Sequence, residues 1–377
     1  MLVGPCLLIA VAGCERESPE VETPPETAVQ LVLDTVNVVH SDLFHRVEGV
    51  RRLRGGDLAV MNAGSLNLLL LDSLGDLKET IGRLGQGPGE FQGMLDMDIE
   101  GDSIVVLDGL MRRVQLFHRD SFVTMWPLRG ITGTPEQVAF SSGGGPVVAF
   151  GTRPDAGQGN VMRVLRETVE LYRVDDPGTA LETSVEIPGD EFFYGRGEGG
   201  ATFMGMPAFN VWSTYDLTRT GVIVADGRDG RVVSFPWGGQ VARALRAASP
   251  PAPVPQAEMD RFWQRAETVA RRRPDMDYMT FARQAVDVWG ESVPRPFYEA
   301  VITDGSETLM KHFAPSSSDL VEWSLLGGDG ETLGTFNLGR ATELHSLRSR
   351  EVLGVGRDSL DVEHVLVLRI REAADDG

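Results

Sequence analysis

Side chains capable of chemistry concentrate in two neighbouring stretches. Asp96-Met97-Asp98-Ile99-Glu100-Gly101 places carboxylates at alternate positions, the opening pattern of a calcium-binding loop. Such a loop needs a bidentate Glu at its twelfth position, and Leu107 stands there. Read as a strand, the same alternation sends Met97 and Ile99 into a core. Asp96 and Asp98 are left on the opposite face as candidate ligand-binding residues. Just before them, Ile81-Gly82-Arg83-Leu84-Gly85-Gln86-Gly87-Pro88-Gly89-Glu90-Phe91 packs Gly and Pro too densely for a helix. It predicts a tight crossover between two sheets. Arg83, Gln86 and Glu90 would ride on it as pre-oriented polar groups, a second set of candidate ligand-binding residues.

Other motifs are weaker. Gly195-Arg196-Gly197-Glu198-Gly199-Gly200 matches a dinucleotide fingerprint in letters, but Gly205 and Pro207 stop the next segment from opening a helix. The six histidines, His40, His45, His118, His312, His345 and His364, lack metal-ligand spacing. No Gly-x-Ser-x-Gly elbow and no phosphate-loop lysine occur. Arg271-Arg272-Arg273 ends a helical pattern, where cations offset the negative end of the helix dipole. The motifs assign no catalytic residue and no cofactor.

The chain of 377 residues carries 55 acidic against 35 basic residues, a net charge of −20. That balance argues against duplex nucleic acid or an anionic lipid surface as the main partner, because both are held by clustered cations. Lysine occurs only at Lys78 and Lys311, so the positive charge is almost all arginine. Met1–Gly13 is apolar and ends Val11-Ala12-Gly13 before Cys14, which resembles the lipobox of a bacterial lipoprotein signal peptide. It lacks the basic residues that usually precede the apolar run. The expectation is a signal peptide over residues 1–13, acylation at Cys14, and a flexible acidic tether over residues 14–28. Processing there would remove Cys6 and leave no other thiol for disulfide, metal or nucleophile.

These residues need a scaffold, and the rest of the chain supplies one in repeated units. Val47–Leu53, Leu58–Met61, Leu66–Leu71 and Leu77–Ile81 read as four short strands joined by Gly/Asp turns. Leu95–Ile99, Ile104–Leu107, Val114–Phe117 and Phe122–Leu128 repeat the pattern, with Asp102 in the turn that Asp57 occupies. Four looser units follow. The third takes Val161–Leu165 and Val169–Val174 as separate strands, and the sixth, Glu343 to Ile370, has only three. Asp190–Met206 is read as a Gly-rich loop, and Ser249–Pro255 as a stiff connector. The connector leads into a helical insertion over 255–290, between the fourth and fifth units. The orphan strand Val29–Val39 is expected to pair with His364–Ile370 and complete the sixth unit. Leu31, Leu33, Val36 and Val38 would be its buried residues. The fold class is all-β: six four-stranded antiparallel blades closing into a propeller over 29–377. The six tryptophans, Trp126, Trp212, Trp237, Trp263, Trp289 and Trp323, are read as packing residues.

Three segments extend this reading by resemblance. Gly82–Phe91, Gly101-Asp102-Ser103-Ile104-Val105-Val106-Leu107-Asp108 with Arg113-Val114-Gln115-Leu116-Phe117, and Val352–Val365 are similar to a bacterial six-bladed β-propeller family related to NHL repeats. The resemblance spans roughly Val29 to Arg371 and implies fold and export, not a reaction. In such a propeller the innermost strand lines the channel, which would place Asp96 and Asp98 there. The expected role is a monomeric binding module in the cell envelope, membrane-held through its lipid, taking a protein or small-molecule ligand. An alternative follows from similar propellers that hydrolyse sugar lactones and esters with a channel metal. Ca²⁺ or Zn²⁺ would then be sought among Asp96, Asp98, Asp108, Asp226 and Asp358.

Overall fold

A computed structural model describes residues 29–373, apart from 143–144, 153–163, 175–186, 197–201, 206–207, 210–212, 238–242, 247–252, 275–276, 290–292 and 316–317. The expected signal peptide, Cys14 and the expected tether lie outside the described residues. So do most of the dinucleotide-like motif and the start of the Pro-rich connector.

Six antiparallel sheets follow one another around a ring. Blade one comprises Val47–Arg52, Leu58–Asn62, Asn67–Leu71 and Leu77–Ile81; blade two Met94–Glu100, Ser103–Asp108, Arg113–His118 and Ser121–Pro127. Blade three has Thr134–Phe140, Pro146–Thr152, Val164–Arg173, Ile187–Arg196 and Thr202–Gly205. Blade four has Ser213–Leu217, Gly221–Asp226, Val232–Pro236 and Arg243–Arg246; blade five Tyr298–Thr303, Thr308–His312, Leu320–Leu326 and Thr332–Gly339. Blade six takes Thr342–Arg348, Glu351–Arg357 and Glu363–Glu372 from the C-terminal end and Leu31–His40 from the N-terminal end. The first strands of the six blades touch one another in a closed cycle, so they form the channel wall. The fold is a six-bladed β-propeller.

The sequence explains this layering. Second and third strands are covered on both faces and read as apolar runs: Leu58–Asn62 is buried throughout and Leu68–Leu71 likewise. Fourth strands form the outer edge, and Leu77–Thr80 is exposed on both faces. Apolar clusters fill each of the six interfaces between blades. Met61, Phe91, Met97 and Phe117 are among those between blades one and two; Trp323, Phe336 and Leu347 lie between five and six. Hairpin turns use the same glycine in equivalent places, Gly56 at φ +93° and Gly101 at φ +66°, where a side chain would be strained.

The closing strand pairs as the sequence predicts, from Leu31 opposite Glu372 to His40 opposite His364. Its burial departs from expectation. A register shift between Thr35 and Asn37 leaves Val36 58% exposed. Past that bulge the parity changes, so Val39 is buried against blade one while Leu31 faces blade five. Blade three also differs. Val164–Arg173 is one strand with an irregularity between Arg166 and Thr168, not two. Asp190–Met206, read as loop, contributes to two strands, with Tyr194 opposite Met204. The run Phe192-Phe193-Tyr194 has the aromatic content that favours a strand and outweighs the nearby glycines. This blade is therefore five-stranded.

The insertion forms helices α1 (Gln256–Arg272) and α2 (Tyr278–Asp287). Asp277 caps α2 by accepting from the Thr280 amide at 3.2 Å. The pair is fastened by the Trp289 indole, which donates to the Ala208 carbonyl at 2.8 Å, and by packing of Phe262 and Phe281 around Ala208 and Ala285.

Candidate functional site

Strand direction assigns each feature to a face. Every first strand starts on the face that carries the crossovers between blades and ends on the face of the first hairpin turns. The Gly82–Phe91 loop is such a crossover, whereas Asp98 sits near the hairpin end of its strand. The two candidate clusters predicted from the sequence are therefore on different parts of the ring.

In the loop, Phe91 is buried, and its ring would lie 2.4 Å from any Cβ placed on Gly82. Arg83 donates Nε to Glu90 Oε1 at 2.9 Å, and the Gly87 amide donates to Glu90 Oε2 at 2.8 Å. The amide bond and Arg83 hold the Glu90 carboxyl below its ordinary range. From blade two, Arg113 donates to the carbonyls of Gln86 and Glu90, and Gln115 Oε1 accepts from the Gly89 amide. The structure brings Arg83 and Glu90 together inside the loop and leaves the Gln86 side chain pointing outward among exposed surface. These bonds assemble a rigid turn rather than an open pair of groups.

In the channel, Asp96 and Asp98 take up the predicted positions while Met97 is buried behind them. Asp96 Oδ2 accepts from the Val138 amide and Asp98 Oδ2 from the Phe140 amide, both at 2.8 Å, so blade two is sewn to blade three. Asp216 does the same between blades four and five, accepting from the Thr303 amide at 2.7 Å. Arg51, on blade one, has Nη1 on the His345 carbonyl of blade six at 2.6 Å and Nη2 3.9 Å from Asp96. Each aspartate gives one oxygen to a backbone amide of the next blade, and the other oxygen of Asp96 stands 3.9 Å from Arg51.

A cavity of about 630 Å³ opens at the hairpin face, with Arg51, Asp98, Asp216, Thr303 and His345 in its wall. Protein surrounds the aspartates on all sides, although water still reaches them down the channel. Loss of bulk hydration pushes Asp96 up to about 6 against the opposing effect of Arg51, and pushes Asp216 up to about 7. Asp98 is raised for the same reason. Burial, with Arg51 and Arg357 adding, lowers His345 to about 3, so its imidazole is neutral. Rim charges pair among themselves, Arg52 with Glu351 and Arg219 with Glu100. Among the described residues the inner wall thus sets Asp96, Asp98 and Asp216 around Arg51, with Arg348 at the rim.

The other carboxylates named for a channel metal stand elsewhere. Asp108 is buried under the blade-two crossover, accepting from the Gln92 and Gly93 amides and paired with Arg113 at 3.4 Å. Asp226 pairs with Arg166 at 3.1 Å. Asp358 closes a turn by accepting from the Leu360 and Val362 amides. Among the described residues, no three His, Cys, Asp or Glu side chains are placed to hold a metal ion.

No family model matches the chain, and no curated protein does. Solved structures match it in fold. A candidate exported protein of Bacteroides fragilis is 11% identical over 93% of this chain and 98% of its own, with a TM-score of 0.53. A member of the duf4221 family from Bacteroides vulgatus is 9% identical over 92% of this chain and 100% of its own, at 0.51. The likeness is one of fold.

Arg51, Asp216 and His345 were not singled out from the sequence. Each is one polar residue among several in a short first strand, and the ring brings them together across nearly 300 residues: His345 is 294 positions from Arg51. Superposing first strands unit by unit would have exposed the signal, since Arg51, Asp98, Asp216, Thr303 and His345 occupy the inward polar positions of five units.

Proposed function

We propose that this chain is an exported, lipid-anchored envelope protein whose propeller is a binding module, and that its channel cavity takes a small ligand bearing a cationic group. The observation carrying this reading is the charge of the inner wall: among the described residues Asp96, Asp98 and Asp216 stand there around Arg51, each tied to the next blade through a backbone amide. The volume, about 630 Å³, lies within the range of small-molecule sites, about 300–1,000 Å³. The lipobox-like run before Cys14 and the candidate exported protein of the same fold support the envelope placement.

Isothermal titration of the mature protein with agmatine tests the ligand class, with succinate as the anionic control. Agmatine should bind best near about pH 8 and lose affinity as Asp216, then Asp96, take up protons between about pH 7 and pH 6. Asp216→Asn should weaken it at the upper pH. Preference for succinate, or agmatine binding indifferent to both pH and Asp216→Asn, would sink the reading. Tight binding of Ca²⁺ or Zn²⁺ in the same titration, with lactone hydrolysis, would favour the hydrolase alternative instead.

A further inference from the structure

A second cavity, of about 310 Å³, lies on the crossover face between α1 and blade five. Phe209, Phe262 and Phe313 give it an apolar wall. Its polar residues divide into those the fold consumes and those it does not. Glu299 is paired with Lys311 at 2.9 Å, and Arg340 holds the following loop by donating to the Ala314, Pro315 and Ser318 carbonyls. Glu258 is different. It is only 8% exposed, one carboxyl oxygen stands 3.6 Å from Arg295, and the other is buried with no hydrogen-bond partner. The Arg295 guanidinium also lies over the face of Phe313, 5.5 Å from the ring centroid. A buried acceptor without a donor is costly to maintain, and native proteins keep few of them.

Arg261 follows Glu258 by three positions on α1, so the two side chains are neighbours on one helix face. No ion pair joins them. An acceptor and a cation side by side, next to three phenylalanines, match the ammonium and carboxylate that share one carbon in an α-amino acid with an aromatic side chain. We propose that this cavity binds a free aromatic α-amino acid: the ammonium donates to Glu258, the carboxylate meets Arg261, and the ring packs on Phe209, Phe262 and Phe313. The site is independent of the channel cavity, which opens on the opposite face.

Titration of the full mature chain with L-phenylalanine, with L-alanine and phenethylamine alongside, tests this. L-phenylalanine should saturate one site, phenethylamine should bind more weakly, and L-alanine should bind least. Glu258→Gln should weaken L-phenylalanine about tenfold or more, since a hydrogen bond to a charged group is lost. Arg261 is on the exposed side of α1, so Arg261→Ala keeps the fold and should weaken L-phenylalanine while sparing phenethylamine. Asp216→Asn, across the ring, should change neither. No saturation by L-phenylalanine with the wild-type chain overturns the proposal. So does equal affinity for L-alanine, or L-phenylalanine binding untouched by Arg261→Ala. Should Glu258→Gln prove unfolded by circular dichroism, Arg261→Ala alone decides.

Discussion

The channel aspartates both join neighbouring blades and carry titratable charge, and titration separates the two roles. Their folded pKa values lie above the ordinary aspartate value of about 3.9: about 7 for Asp216 and about 6 for Asp96. A raised value means the folded state prefers the protonated form. That contribution to stability is complete below about pH 4 and is lost as pH rises through about 7. Asparagine at position 216 could still accept from the Thr303 amide but carries no charge to desolvate. The melting temperature of Asp216→Asn, relative to wild type, should therefore climb between about pH 4 and pH 7. Calorimetry showing a constant difference across that range would refute the desolvation account. Glu90 titrates the other way, its carboxyl held low by the Gly87 amide and Arg83. Glu90→Gln should lower the melting temperature at neutral pH and lose that penalty in acid, with ligand binding at the channel unchanged. Side-chain alternation put Asp96 and Asp98 on one face, and the resemblance to a propeller put that face in the channel. Neither could show that Glu90 spends both oxygens within its own loop, because that depends on where Gly87 and Arg83 point once the turn has formed.

Elements were legible where apolar period and turn chemistry agreed. Blades one and two, with their Gly/Asp turns, fall almost on their predicted spans, and the closing strand meets the partner assigned to it. Failures came from backbone irregularities that side-chain pattern does not encode. The bulge at Val36 changed which residues the closing strand buries, and a shift near Glu167 disguised one long strand as two. Two variants probe the elements that hold the ring. Deleting Leu31–His40 removes the buried Leu31 and Val39 and bares the edge of Glu363–Glu372. Each buried side chain contributes roughly 1.5–3 kcal/mol, and an open edge invites aggregation. The shortened chain should elute as aggregate in size-exclusion chromatography; a soluble monomer with an unchanged melting point would disprove the closure role. Gly82→Ala would force a side chain at φ +84° into the Phe91 ring. A loss on the order of 1–3 kcal/mol should appear in urea unfolding.

At the scale of the whole molecule, six apolar interfaces supply the packing, and polar links between neighbouring blades supply register. The Val47 amide donates to Glu363 at 2.9 Å between blades one and six, and the Ser349 amide to Asp304 at 3.0 Å between blades six and five. Such links are spread around the ring, so no single one should be indispensable, whereas opening the ring should cost the entire cooperative unit. This level was the most readable from sequence because it rests on repetition: a unit that recurs six times and ends one strand short leaves one way to close. The sites were the least readable, since both cavities are built from residues contributed by separate blades or by the insertion.

The direction of the closing strand carries one more consequence. Leu31 lies at the hairpin-turn end of blade six and His40 at the crossover end, where the chain passes into blade one. Whatever precedes Val29 departs from the rim that surrounds the aspartate-lined mouth, beside the departing C-terminal strand, whose Ala373 amide donates to the Gln30 carbonyl. If Cys14 carries lipid, residues 15–28 span at most about 50 Å when fully extended. The leash would then leave from the outer edge of the hairpin side, so the shorter its working length, the more the channel mouth would face the bilayer and the helical insertion face away from it. Accessibility labelling in intact envelopes would read this orientation: a cysteine replacing Ser306, on the hairpin side, should be shielded from a bulky maleimide that reaches one replacing Arg261.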